Sequence, residues 1–270
     1  MLPNSSNFKK QAKTLLEGRW PLAIGAVMIL IFFFLFIVTL FNMLHPCFLS
    51  GAPFIILTVL TVFFALAVGF PLTLGVIKIF RRIYNKEDTD LYTVFFYFSS
   101  AKLFTKAIRL CITFIMQFGV IALLLLLPSL IIEALSAGKI PFISNGDMPL
   151  WLSNLWVFGA FLRATAIAIL VFITLRYYLT PYIFIINDNI DIMEALLLSR
   201  KASKMSIGNF IVLIFSFTGW IILSFFAVPL IFTLPYALMC YTVHAEAVIT
   251  VYNKKVNSTQ FFVEENDFDL

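Results

Sequence analysis

Charged residues are scarce in this sequence, at 12% of its 270 residues, and it has only two histidines. Soluble globular domains carry about 25% charged residues and about 45–50% apolar residues. Here 61% of the residues are hydrophobic, and 32 of them are phenylalanine. Because so few residues favour water, the composition excludes a soluble globular domain and predicts a membrane protein.

Cysteine is also rare, and Cys47, Cys111 and Cys240 lie far apart. This spacing excludes a disulfide framework and the clustered ligands of a zinc site. Phosphate-binding loops, H-E-x-x-H and G-x-S-x-G are missing as well. His244 and Glu246 match the first part of a deaminase motif, but its P-C-x-x-C part is missing. We therefore predict that the chain is not an enzyme and binds no cofactor or metal.

Long apolar segments dominate the sequence. A membrane-spanning helix requires about 20 mostly apolar residues. Six segments reach that length, and they predict an all-α polytopic bundle of six transmembrane helices. The segments are 21–44, 53–79, 107–132, 156–186, 207–230 and 234–252. A short turn between Pro229 and Pro235 is expected to separate the last two, since about 45 apolar residues are too many for one span.

Lysine and arginine are distributed unevenly between the predicted loops. The residues before the first span, two alternate loop regions and the tail hold 16 of the 19 basic residues. Such an excess of positive charge is typical of cytoplasmic loops. We therefore predict a multi-pass plasma-membrane protein with both termini in the cytoplasm. Its parts are a cytoplasmic amphipathic arm (1–20), a six-helix transmembrane domain (21–253) and a cytoplasmic tail (254–270).

Three short amphipathic stretches, 7–17, 90–104 and 191–205, lie in the predicted cytoplasmic parts. In the third stretch, Asp191 and Glu194 have the spacing of a capping box, and Arg200 lies on the charged face. Such helices lie in the membrane interface with their basic residues near anionic lipids. We expect them to anchor the chain, or to bind a cytoplasmic or membrane protein. Because topology explains the positive charge, no nucleic acid partner is expected.

Arg163 and Arg176 fall within one apolar segment. In a helix their separation is about 20 Å, against a hydrocarbon core about 30 Å thick. Both side chains can therefore extend to opposite membrane surfaces without any functional role. In the alternative, Arg163 points into the bundle and pairs with Glu133, which would mark a functional position.

The fifth predicted span carries Gly219 and Trp220 near the middle of the membrane. Since tryptophan prefers the interface, Trp220 is expected to be buried against other helices. Its indole N–H would then donate to Ser216, Thr218 or a carbonyl near Gly219; a pocket wall is the alternative. Glu246 is expected to reach interfacial water or to pair with a basic residue.

Two sets of residues form recognisable motifs. The amino-terminal set is Ala12, Leu16, Gly18, Trp20 and Ala23. The carboxy-terminal set is Tyr178, Asp188, Glu194-Ala195-Leu196, Ser199-Arg200, Ser216-Phe217, Gly219-Trp220 and Pro235-Tyr236. They resemble an uncharacterised family of bacterial polytopic membrane proteins, domain of unknown function family 975. A more distant resemblance is to the membrane domain attached to some glycerophosphodiester phosphodiesterases, without their hydrolase domain. The resemblance implies a membrane fold rather than a reaction.

Two kinds of function fit these observations. The first is a non-enzymatic membrane protein, acting as a scaffold, an accessory subunit or an envelope-stress factor. The alternative is a transporter or permease component for a small solute or a lipid-linked molecule. Arg163 and Glu133 favour transport, as does the bend expected around Pro71 and Gly75 in the second span. Transport also predicts a polar cavity near the membrane midplane, lined by Gln117, Ser216 or Thr218.

Overall fold

A computed structural model describes residues 5–44, 51–136, 150–187, 190–219 and 228–267. These residues are almost entirely helical and contain no strand, which confirms the all-α class. The helices, in chain order, are α1 (Ser5–Leu16), α2 (Trp20–Leu44), α3 (Ala52–Tyr84), a 3₁₀ helix (Leu91–Phe98), α4 (Ala101–Ser136), α5 (Leu150–Leu175), α6 (Thr180–Ile186), α7 (Ile192–Ser203), α8 (Ile207–Phe215) and α9 (Val228–Asp267).

Five helical stretches in the described part of the chain are long and apolar enough to cross a membrane. They are Trp20–Leu44, Ala52–Tyr84, Ala101–Ala134, Val157–Ile186 and Leu230–Val256. The first four correspond to the first four predicted spans. This architecture is that of a multi-pass membrane protein.

Of the last two predicted spans, 234–252 lies within the helical stretch Leu230–Val256, whereas 207–230 is not confirmed. Helix α8 has nine residues, which are too few to cross a bilayer by themselves, and residues 220–227 of that predicted span lie outside the described residues. Helix α9 begins before Pro229 and continues through Pro235, so the turn expected between these prolines is absent. A proline inside a membrane helix is tolerated where neighbouring groups satisfy the freed backbone. The described residues therefore support five spans, and the sixth is not confirmed.

The chain divides into two compact units, Met1–Cys111 with Leu179–Leu270, and Ile112–Tyr178. The first unit has a hydrophobic core made by α1, the first half of α2, the second half of α3 and the middle of α9. Its buried side chains include Phe8, Ala12, Leu16, Ala23, Val27, Leu72, Val76, Ile79, Phe80, Met239, Cys240 and Val243. The second unit contains most of α4 and all of α5.

Gly75 lets the 3₁₀ helix lie directly against α3. A Cβ atom at this position would overlap the backbone carbonyl of Val94. Only glycine permits such a close backbone approach. Helix α3 continues without interruption through Pro71 and Gly75. The bend expected around Pro71 and Gly75 stays a prediction, and the structure gives Gly75 a packing role that the sequence did not indicate.

The amphipathic stretches are helical, and apolar side chains of each pack against protein. In α1, Phe8, Ala12 and Leu16 are fully buried and belong to the core of the first unit. In the 3₁₀ helix Val94 is buried in the same core. The apolar face of α7 is buried as well, at Ala195, Leu196, Ser199, Ala202 and Ser203. These buried side chains contact neighbouring helices, whereas Leu91, Phe95 and Phe98 of the face predicted in 90–104 are exposed.

Candidate functional site

Arg163 and Glu133 form an ion pair in the second unit. The Arg163 Nη1 atom, on α5, lies 2.9 Å from Glu133 Oε2, on α4. About one turn earlier, Gly159 brings the helices close, since a Cβ there would lie 3.1 Å from the Ile132 Cγ2 atom. Both charged side chains remain partly exposed, at 37% for Arg163 and 40% for Glu133. The structure thus brings together the pair that the sequence analysis considered as an alternative.

Arg176 has different surroundings from Arg163. It lies just after the end of α5, where its backbone N–H donates to the Ile173 carbonyl at 3.1 Å. Its guanidinium carbon is 5.7 Å from the ring centroid of Phe172, within the range of a cation–π contact. The two arginines of the apolar segment therefore have different partners.

Glu246 pairs with a basic residue, Arg81, in the first unit. Arg81 Nε donates to Glu246 Oε1 at 2.9 Å, and Arg81 Nη1 donates to the Ile185 carbonyl at 3.3 Å. That carbonyl belongs to the last turn of α6, where helices have no internal donors for their carbonyls. Arg81 therefore links α3, α6 and α9. The sequence predicted a basic partner for Glu246 but did not identify it.

Lys9 connects the arm helix α1 to the carboxy-terminal helices. Its Nζ donates to the Ser216 carbonyl at 3.1 Å and lies 4.8 Å from the ring centroid of Phe217. The Tyr236 hydroxyl donates to the Lys9 carbonyl at 3.2 Å. The neighbouring Phe8 ring packs edge-on against His244, with centroids 5.1 Å apart. The sequence does not distinguish Lys9 from Lys10 and Lys13, because all three are lysines of the same amino-terminal arm.

Asp191 begins α7 as predicted, but the capping box does not form. The Asp191 side chain makes no capping hydrogen bond, and its carbonyl accepts the Ala195 N–H at 2.9 Å. Glu194 lies in the first turn, and Arg200 and Lys201 lie in the last. An acidic residue near the start of a helix and basic residues near its end interact favourably with the helix dipole. The sequence thus placed the start of α7 correctly and the capping contacts wrongly.

Gly219 makes no close contact within the described part of the chain. It is exposed, and a Cβ atom there would have no described neighbour within 4 Å. The predicted burial and hydrogen bond of Trp220 fall outside the described residues. Ser216 Oγ donates to the Leu213 carbonyl at 2.6 Å within its own helical segment.

Several cavities open between helices of the first unit, and two of them are lined by residues of α9. One, of about 160 Å³, lies between α6, α7 and α9 and includes Tyr252 and Asn253 in its lining. The other, of about 290 Å³, lies where α1, α2 and α9 meet. We call it the arm cavity, and its lining residues are Lys13, Trp20, Phe232, Thr233 and Tyr236.

Comparison with known proteins identifies the family. A family model described as a protein of unknown function (DUF975) matches residues 1–251. The chain belongs to the DUF975 family. No curated protein and no solved structure matches this DUF975 chain, so the resemblance to the membrane domain of glycerophosphodiester phosphodiesterases is not shown.

The DUF975 match includes both of the motif sets that the sequence analysis identified. The structure brings parts of the two sets into contact around α1. Ala12 and Leu16 share one core with Phe217, and Trp20 packs against that core together with Tyr236. Residues far apart in this DUF975 sequence therefore form one packed region, with the arm cavity at its edge.

Proposed function

We propose that this DUF975 chain is a bacterial plasma-membrane protein with both termini in the cytoplasm, and that it acts without catalysis as a scaffold, accessory subunit or envelope-stress factor. Termini on the same side require an even number of crossings, so the proposal includes one crossing more than the five apolar stretches of the described residues. Its partners would be anionic lipids of the cytoplasmic leaflet and a cytoplasmic or membrane protein. The basic residues that flank its apolar helices support this orientation.

The observation that carries the proposal is the fixed position of the basic helices. Helices α1 and α7 bury their apolar faces against other helices of the first unit. Their basic side chains remain exposed, at Lys10, Lys13, Arg200, Lys201 and Lys204. A basic surface on a packed helix attracts anionic lipids and acidic partners without first having to fold. This suits a protein that holds others in place.

Orientation can be tested by labelling whole cells with a membrane-impermeant amine reagent. Lys86 and Lys201 are exposed in loop and helix positions that the proposal assigns to the cytoplasm. We expect both to react only after permeabilisation. Labelling of either residue in intact cells would refute the proposed orientation.

The scaffold role can be tested with a photo-crosslinking amino acid in living cells. Leu197 is 56% exposed on α7, among the basic residues, and suits the probe position. Phe63, 70% exposed in the apolar part of α3, is the matched control that should contact lipid. We expect a discrete protein adduct from position 197 and none from position 63. Absence of a protein adduct at 197 would argue against the scaffold.

The Arg163–Glu133 pair supports transport as a second candidate function, because charges within apolar helices often mark solute pathways. An exchange of the two residues, Arg163→Glu with Glu133→Arg, separates the functions. If the pair is structural, the exchanged variant should recover the stability and the cellular phenotype that each single variant loses. Recovery of stability without recovery of the phenotype would favour the transporter.

A further inference from the structure

The arm cavity combines one exposed cation with aromatic walls at the first residue of an apolar helix. Trp20 begins α2 and lies 6.3 Å from Phe232, centroid to centroid, in an edge-on arrangement. Tyr236 is held in place because its hydroxyl donates to the Lys9 carbonyl. Lys13, at the rim, is exposed.

The chemistry of these side chains specifies the ligand. Tryptophan and tyrosine rings favour the level of the lipid headgroups, where an apolar body and a polar edge are both satisfied. Phe232 is 54% exposed beside them, which leaves an apolar wall open to lipid. A lysine at the same level attracts phosphate. A soluble phosphate would bind only the Lys13 ammonium and would make no apolar contact with the three aromatic rings.

We propose that the arm cavity binds an anionic phospholipid of the cytoplasmic leaflet, with its phosphate at Lys13 and its glycerol and upper acyl carbons against Trp20 and Phe232. A volume of about 290 Å³ accommodates this part of a lipid, while the remaining acyl chains stay in the bilayer. The assignment rests on the proposed function only in placing α1 at the cytoplasmic leaflet. The bound lipid would fill the junction between α1, α2 and α9.

Binding can be measured by native mass spectrometry on the full chain in non-ionic detergent. The probes are phosphatidylglycerol and phosphatidylcholine with identical acyl chains, added in increasing amounts. We expect the first phosphatidylglycerol to bind more tightly than the first phosphatidylcholine. Lys13→Gln should lower the affinity for the first phosphatidylglycerol by about fivefold, which is the effect expected from the loss of one lysine near a lipid surface.

Matched variants separate this site from general surface charge. Lys10 lies on the same helix, is exposed and does not line the cavity, so Lys10→Gln should weaken the binding of the first phosphatidylglycerol much less than Lys13→Gln does. Phe232→Ala should weaken both lipids, because it removes part of the apolar wall. Unfolding temperatures matched to the parent chain would show that these variants fold.

Three results would overturn the proposal. The first is equal affinity for the two lipids. The second is an equal loss of affinity for the first phosphatidylglycerol in the Lys10→Gln and Lys13→Gln variants. The third is displacement of the lipid by soluble glycerol phosphate, which would indicate a site for free phosphate. The detergent experiment does not depend on orientation in the membrane. Its failure would refute the lipid site alone, whereas labelling of Lys86 or Lys201 in intact cells would refute the proposed orientation alone.

Discussion

Helices α2 and α9 are both long and apolar enough to cross a membrane, yet their surroundings differ. In the most apolar stretch of α2, 17% of the residues are buried within the protein, against 50% in α9. Helix α2 therefore leaves more of its apolar surface uncovered by the first unit than α9 does. The comparison shows that two helices, each with a stretch long enough to cross a membrane, can differ in how much of that stretch the protein itself covers.

The polar residues of the two helices follow this difference. Helix α9 carries Thr242, His244 and Glu246 within its buried region, and α2 has no ionisable side chain. Thr242 donates to the Leu238 carbonyl at 2.9 Å, and Glu246 accepts from Arg81. A helix that faces protein can keep a charged group such as Glu246 because a neighbouring helix supplies its partner, whereas lipid offers no hydrogen bonds.

The largest expected effect comes from breaking the packing around α3, the neighbour of both helices. Gly75→Ala places a methyl group where the Val94 carbonyl lies, so the 3₁₀ helix must move away. We expect a loss of about 3 kcal/mol in the free energy of unfolding, measured by thermal unfolding in detergent. Gly119→Ala is the control, because its nearest neighbour would be 4.0 Å away. Equal stability of the two variants would contradict the close contact.

A smaller effect should follow from removing the charge that α9 holds in its buried region. Glu246→Gln leaves Arg81 without its carboxylate in a region where the two side chains are 25% (Arg81) and 12% (Glu246) exposed. We expect a loss of about 2 kcal/mol, lower than for a fully buried pair. The reversed pair, Arg81→Glu with Glu246→Arg, should recover part of the loss. No recovery would show that the Ile185 carbonyl, rather than Glu246, determines the contribution of Arg81.

The smallest effect tests how firmly α1 is attached to α9. Lys9→Met removes the hydrogen bond to the Ser216 carbonyl and the contact with Phe217, and should cost about 1 kcal/mol. Hydrogen exchange of the α1 amides should become faster. Lys10→Met is the matched control, since Lys10 is exposed on the same helix. Equal exchange in both variants would mean that the buried face of α1 alone attaches the arm.

Sequence patterns predicted the helical class, the first four spans and the start of α7, because each depends on a local run of residues. The pairing of Glu133 with Arg163 could also be proposed, since two charges in apolar segments have few available partners. Hydropathy measures how apolar a segment is, and it does not report what covers the segment. For this reason it placed a turn between Pro229 and Pro235, where the structure has one continuous helix. The span predicted over 207–230 lies partly outside the described residues and is not confirmed.

Tertiary partners at long sequence separation could not be predicted. The contact between Arg81 and Glu246 joins residues 165 positions apart, and only the packing of α3 against α9 brings them together. The periodicity of α1 predicts an apolar face equally well for lipid and for protein. The choice between them depends on α9, which no local pattern in the arm describes.

The hydrogen bond from Tyr236 to the Lys9 carbonyl joins positions 227 residues apart, which imposes an order on biosynthesis. At translation rates of about 5–20 residues per second, the arm leaves the ribosome about 10–45 s before its partner on α9. During that interval the apolar face of α1 requires another cover, and the bilayer surface is the nearest one. The amphipathic character of α1 would thus serve the nascent chain first and the finished core later, and closure of the arm would be among the last steps of folding.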